Sequence, residues 1–225
     1  MADKKNSKTR KKIVEAACKL FSEHGLDSVS TRMIADLSGT HLGSLHYYFD
    51  DKEALYLEVF RMAIQSDNMI DLEQMVKKKP NMLATPEGQS ELIYLGVKDY
   101  FKHCFVAGEE WKQRLILREL SQFSGVAEKL TEEIFKPKIE RARKAFKILT
   151  QKDSLVESFL WTHIPSYVVS FCLLTKPTLD RSFDKEFVTE LFSKLADMTA
   201  MMMILLLGLP LPQGIDTALF HPAID

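Results

Sequence analysis

STRMIADLSGTHLGSLHYYFDDKEAL, residues 30–55, decides the fold. Ser30 is a hydroxyl residue placed to cap a helix, Ile34 and Leu37 recur three apart as an inward pair, and Gly39 supplies a turn. A second short helix follows from His41 to Tyr48, burying Leu45, with Phe49 just beyond it. Asp50 stands three residues before Glu53, a capping box that opens a further helix through Leu55, Val59 and Met62 and on to Val76. Two short helices about a glycine turn make a helix-turn-helix, whose second helix has the dimensions of the DNA major groove.

Upstream, Ile13, Val14, Ala17, Leu20 and Phe21 share one face of a helix from Lys8 to His24. Ser7 is its expected cap, and Gly25 its expected left-handed end. Six cations (Lys4, Lys5, Lys8, Arg10, Lys11, Lys12) precede Ile13 against Asp3 alone. Such an arm can follow a phosphate backbone or simply be a solvated terminus. The chain as a whole carries a net charge of −1, so it is no polycation.

Downstream, Lys77–Ser90 is a break, and Thr85 with Pro86 opens a helix to about Val106. Helical patterns cover Glu109–Phe123 and Val126–Thr150, the latter ended or kinked at Pro137. Leu155–Lys176 is strongly apolar and interrupted by Pro165, and Asp184–Leu207 is the last helix. No window alternates with period two, which excludes a sheet. The fold class is therefore all-α, with a small N-terminal helix-turn-helix domain (1–55) and a larger helical body (56–225) joined within the fourth helix.

Cys18, Cys104 and Cys172 are odd in number and widely spaced, as reduced thiols are, and form neither a disulfide framework nor a zinc site. His41 and His46, five apart, do not share a helical face, so no metal is expected. The N-terminus lacks the apolar core of a signal peptide, and Met198–Leu211 is too short and broken to span a bilayer, so a cytoplasmic location is expected. There is no nucleophile elbow, phosphate loop or paired-histidine spacing, and hence no enzyme or cofactor is expected.

Thr31, Ile34-Ala35, Gly39, Gly43, Leu45, Tyr48-Phe49 and Lys52-Glu53-Ala54-Leu55, preceded by IVEAACKLFSEHGLDSVS, resemble the DNA-binding domain of the tetracycline-repressor (TetR) family. The resemblance covers about residues 10–60. It implies that Thr40, His41, Leu42, Gly43 and Ser44 face base edges, with Arg32 reaching a guanine. Thr31, Tyr47, Tyr48 and Lys52 match phosphate-binding positions. The family pattern breaks at His41, where a helix cap is usual and Thr40 can take over, and at His46, where tyrosine is usual and histidine offers a shorter donor to phosphate or base.

The resemblance also implies a homodimer on double-stranded DNA, a near-palindromic operator and a small-molecule effector that releases a repressor. The seam falls on the last two long helices, through Phe159, Val168, Phe171, Leu174, Leu191, Leu195, Met198, Met202 and Leu205. Tyr100, His103, Cys104, Trp111, Arg114, Arg118, Phe123, Trp161, His163 and Tyr167 combine aromatic walls with polar heads as an effector site would. The alternative is an architectural or partner-binding DNA protein with no effector.

Overall fold

The computed structural model describes residues 2–66, 79–105, 110–213 and 215. Among these residues the regular structure is helical: α1 (Ala2–Ser28), α2 (Thr31–Ser38), α3 (Leu42–Tyr48), α4 (Lys52–Ser66), a 3₁₀ turn (Pro80–Ala84), α5 (Pro86–Phe105), α6 (Glu110–Gln122), α7 (Ala127–Leu130), a π turn (Thr131–Phe135), α8 (Lys136–Thr150), α9 (Leu155–Ser182) and α10 (Lys185–Leu206). The all-α expectation holds. Two compact units divide the chain, one of residues 1–68 with 107–138 and one of 69–106 with 139–225. This division differs from 1–55 and 56–225, because α6 and α7 bury their apolar residues with the N-terminal helices. The expected continuation of the fourth helix to Val76 lies outside the described residues.

In the first unit, Ile13, Ala17 and Phe21 of α1 meet Leu55, Val59 and Phe60 of α4 and Leu115 and Ile116 of α6 in one core. Phe21 stands edge-on to Tyr56, with ring centroids 5.0 Å apart. The Tyr56 hydroxyl donates to Glu119 Oε2 at 2.8 Å, and the Ser124 N–H and hydroxyl donate to Oε1 at 3.0 and 2.9 Å. A buried carboxylate is tolerated because three donors satisfy it. Glu119 is thus not the ion-pair partner of Arg118, since neighbouring helical residues point about 100° apart.

Three local expectations change. The first helix begins at Ala2, so Ser7 lies inside it, and it resumes after a bend at Gly25 (φ 79°, ψ 174°) to reach Ser28. Pro137 falls in the first turn of α8, and the π turn before it absorbs the missing donor: the Lys136 N–H bonds to the Thr131 carbonyl, five residues back. Pro165 does not interrupt α9, which runs through it and Pro177. The buried neighbours Trp161, Thr162 and Val169 hold that helix against the loss of one backbone bond.

In the second unit, Thr85 Oγ1 accepts from the Gly88 N–H at 3.1 Å and starts α5 behind Pro86. The 3₁₀ turn lies so close that a Cβ on Gly88 would sit 2.2 Å from the Met82 carbonyl oxygen, a space that fits only glycine. Across α5 and α10, Lys98 Nζ and the Tyr94 hydroxyl donate to Asp197 Oδ1 at 2.8 and 3.0 Å. Trp161 Nε1 of α9 donates to the Met203 carbonyl at 2.8 Å. Asp184 caps α10, accepting from the Phe187 N–H at 2.8 Å.

Tyr56→Phe removes one donor from a buried carboxylate and is expected to cost about 1–3 kcal/mol in urea unfolding; a wild-type midpoint would refute that role of the hydroxyl. Burial pushes the Cys18 thiol up to about 12 and the Cys172 thiol up to about 11, and burial with the Glu119 hydrogen bond raises the Tyr56 phenol. Each group keeps its proton longer folded than unfolded, so the folded chain binds more protons as pH rises and stability falls. Urea midpoints are expected to drop from about pH 9 upward, less steeply in Cys18→Ala with Cys172→Ala; a flat wild-type profile would contradict this.

Candidate nucleic-acid interface

Ser30 (φ −98°, ψ 155°) caps α2, its Oγ accepting from the Met33 N–H at 3.2 Å. Gly39 (φ 62°, ψ 35°) ends α2 in the left-handed region, where glycine carries no steric penalty. The Ser38 hydroxyl bonds to the Ala35 carbonyl at 3.1 Å and lies 2.7 Å from Thr40 Oγ1, which ties the turn to the helix. Thr40 therefore does not cap α3. His41 occupies the cap with no side-chain bond, and only its carbonyl engages, accepting from the Ser44 N–H at 2.9 Å. Leu45 and Phe49 are buried, which orients α3.

The α4 cap is Asp51, not Asp50: its Oδ1 accepts from the Ala54 N–H at 2.6 Å. Phe49 ends α3 extended, which shifts the start of α4 by one residue. Leu37 is 47% exposed rather than inward. The buried positions of α2 are Ile34, Ala35 and Ser38, a stripe set by i, i+1 and i+4, and it leaves Leu37 beside Met33 on the open side.

The expected readers and anchors fall on this outer surface. Arg32, His41, Leu42, Gly43, His46 and Tyr47 are exposed, Tyr47 at 73%. Thr31, Thr40, Ser44, Tyr48 and Lys52 are half-buried. Tyr47 stands edge-on to Tyr48 with centroids 5.0 Å apart, so the buried side of the pair steadies the exposed one. Lys52 has a task the sequence did not signal: its Nζ donates to the Leu26 carbonyl at 2.8 Å. That bond takes one of its three N–H donors.

The basic N-terminal stretch is part of α1, and much of its charge is used locally. Arg10 pairs with Glu58 and lies over the Phe49 ring, 5.2 Å from its centroid, while Lys11 pairs with Glu15 at 3.8 Å. Lys8 and Lys12 are exposed, and the side chains of Lys4 and Lys5 lie outside the described residues.

The ten expected effector residues divide between the units. Trp111, Arg114, Arg118 and Phe123 belong to the first, and Tyr100, His103, Cys104, Trp161, His163 and Tyr167 to the second. Arg118 bonds to the Glu23 carbonyl, and Trp111 packs on the first core. Tyr100, Cys104 and Trp161 are buried in the second core. His163 Nδ1 lies 2.8 Å from the Phe159 carbonyl, its ring stacked on Phe159 at 4.0 Å. Tyr167 and Phe123 are exposed.

Residues 13–59 match the family of bacterial regulatory proteins, tetR family. The transcriptional regulator RutR of Escherichia coli K12 is 40% identical over 58 residues, covering 26% of this chain and 27% of that protein. The transcriptional repressor AcnR of Corynebacterium glutamicum is 30% identical over 87 residues, covering 38% and 46%. The chain thus spans less than half the length of the curated relatives it matches. Solved structures extend the likeness of fold to nearly the whole chain. The regulator FadR of Bacillus subtilis, in complex with stearoyl-CoA, superposes with a TM-score of 0.62 at 19% identity, covering 87% of this chain and 97% of that one. FadR of Bacillus halodurans gives 0.64 at 16% with the same coverage. The match to the tetR family of bacterial regulatory proteins thus rests on residues 13–59, and beyond them the likeness to the solved structures is one of fold.

Proposed function

We propose that the chain is a cytoplasmic, homodimeric transcriptional repressor that binds a near-palindromic operator and is released by a small-molecule effector. The observation that carries the DNA reading is the outer surface of α2 and α3. Arg32, His41, Leu42, Gly43, His46 and Tyr47 are all exposed on a helix-turn-helix whose inner residues Ile34, Leu45 and Phe49 are buried. A guanidinium reads guanine O6 and N7, an apolar side chain meets a thymine methyl, and hydroxyls fix the register on phosphate. Thr31, Thr40, Ser44, Tyr48 and Lys52 frame the readers.

A seven-residue recognition helix contacts too few base pairs to select one genomic site, so the reading requires two copies. The exposed apolar residues of α9 and α10 support that assembly: Phe171 and Leu174 are 67% and 70% exposed, with Phe159, Met198, Met202 and Leu205 also open. Val168, Leu191 and Leu195 are half-buried and pack inward on their own unit, so they back the seam. By length and composition alone α9 is apolar enough to cross a membrane; here its open face is assigned to a second copy. Effector binding is assigned to the second unit, around Tyr100, His103, Cys104, Trp161, His163 and Tyr167. The stearoyl-CoA bound by the similar fold sets long-chain acyl-CoA as the first probe.

Selection of bound duplexes from a random pool is expected to return two half-sites, and a selection yielding no enriched sequence would sink the reading. On the selected operator, Arg32→Ala and Tyr47→Ala are each expected to weaken binding by about 1–3 kcal/mol in fluorescence anisotropy while leaving the circular dichroism spectrum unchanged. Phe171→Glu with Leu174→Glu is expected to give a monomer by light scattering and to abolish operator binding at wild-type concentrations; a persistent dimer would move the seam elsewhere. A thermal-shift screen beginning with acyl-CoA separates the effector-controlled repressor from a regulator without an effector.

A further inference from the structure

The bend at Gly25 (φ 79°, ψ 174°) breaks the run of i to i−4 bonds around Glu23, and the Leu26 carbonyl lies in the last turn of α1, where the Val29 N–H reaches it at 3.4 Å. Two cations of the same unit donate to these carbonyls. Arg118 Nη2, from α6, donates to the Glu23 carbonyl at 2.8 Å, and Lys52 Nζ, from α4, donates to the Leu26 carbonyl at 2.8 Å. Charged donors at a helix C-terminus are favoured both as hydrogen bonds and by the helix dipole.

Arg118 also shapes the bend. A Cβ on Gly25 would lie 3.1 Å from Arg118 Cδ, so the arginine stem occupies the room that a larger residue would need. The rest of the guanidinium contributes little to the fold: Nη1 reaches Gln122 Oε1 only at 3.4 Å, and Nε is buried without a hydrogen-bond partner among the described residues. An orphaned donor costs stability, so this arginine is better accounted for by the carbonyl it holds than by the energy it adds.

What it holds is the entrance to the helix-turn-helix. Leu26 and Val29, just past the bend, are buried in the core, and Ser30 then caps α2. The angle at Gly25 therefore fixes where α2 begins. The helix bearing Arg118 is itself anchored, through buried Leu115 and Ile116 and through Glu119 on the Tyr56 hydroxyl. Adjacent residues of α6 thus grip α1 on one side and α4 on the other.

We infer that Arg118 is a positioning residue of the DNA-reading unit: its guanidinium pins the bend of α1 and so sets the pose in which α2 and α3 meet the groove. The inference rests on the DNA reading proposed above, and it moves Arg118 from the effector site to the interface. It acts through Glu23 and Gly25 and touches no base.

The test uses the full chain. Arg118→Met keeps the stem and loses every donor, while Arg118→Lys keeps a cation able to reach one carbonyl. Amide hydrogen exchange is read over Leu26–Val29, and anisotropy is read on the operator selected by the wild type and on a random duplex of equal length. Arg118→Met is expected to exchange about tenfold faster at Leu26–Val29 and to bind the operator about tenfold more weakly, with the random duplex unaffected and Arg118→Lys restoring most of both. If Arg118→Met does not fold, Arg118→Lys carries the test, with smaller changes in the same directions.

Wild-type exchange or wild-type operator affinity in Arg118→Met overturns the inference. So does full operator affinity combined with loss of response to acyl-CoA, which would return Arg118 to an effector role. If the wild type selects no DNA, the DNA reading fails and the inference with it. Unchanged exchange at Leu26–Val29 then marks the pin as absent in its own right, which tells the two failures apart.

Discussion

A seven-residue helix does not hold itself together in water. Isolated helices below about 12–15 residues are marginal even with favourable sequences, because nucleation fixes several dihedrals for one hydrogen bond. The α3 helix, Leu42–Tyr48, also lacks a side-chain cap, since His41 makes no such bond. Its existence and its pose are therefore tertiary facts. They come from Leu45 and Phe49 in the core, from Arg10 stacked over the Phe49 ring, and from α2, whose two ends are fixed by Ser30 and Gly39. The outer residues of α3 are exposed, so the weight of folding falls on the few residues facing inward. Everything beneath α3 serves that end, including the helix α6 that arrives from about sixty residues later in the chain.

The legible parts of the sequence are those where one residue decides a local geometry. Ser30, Gly39 and Thr85 each announce a helix end by their own chemistry, and each stands at a helix end where expected. What could not be read are effects that depend on a partner distant in sequence. Leu37 matches the spacing of Ile34, yet the buried stripe of α2 is decided by what α1 offers, and Leu37 stays open. Pro165 carries a breaking signal, but the packing of its neighbours overrides the loss of one hydrogen bond. Asp50 is the expected cap, yet Asp51 takes it once Phe49 ends α3 extended.

The same distinction governs the candidate site. Which residues of α3 lie outward was legible because a short amphipathic helix has only one outer face. Lys52 and Arg118 were not, because both spend their charge on backbone carbonyls of α1, and a carbonyl leaves no mark in sequence. Charged side chains read as ligand-seeking when only their identity is known. Here several are structural, and Glu119, held by Tyr56 and Ser124 rather than by its arginine neighbour, is the clearest case.

This use of charge bears on how the protein would hold DNA. Of the cations near the interface, Arg10 is paired with Glu58, Lys11 with Glu15, and Lys52 is shared with Leu26. Nonspecific affinity for DNA scales with the number of phosphates neutralised, so cations engaged in the fold add less to it than exposed ones such as Lys8 and Lys12. On the reading proposed above, discrimination rests on a small set of directed contacts, Arg32 and the first turn of α3 among them, and such contacts are unforgiving of angle. A shift of α2 and α3 by one base step would forfeit them. On that reading the parts that fix the pose, Gly39 and Leu45 among them, matter to binding alongside the side chains proposed to meet the bases.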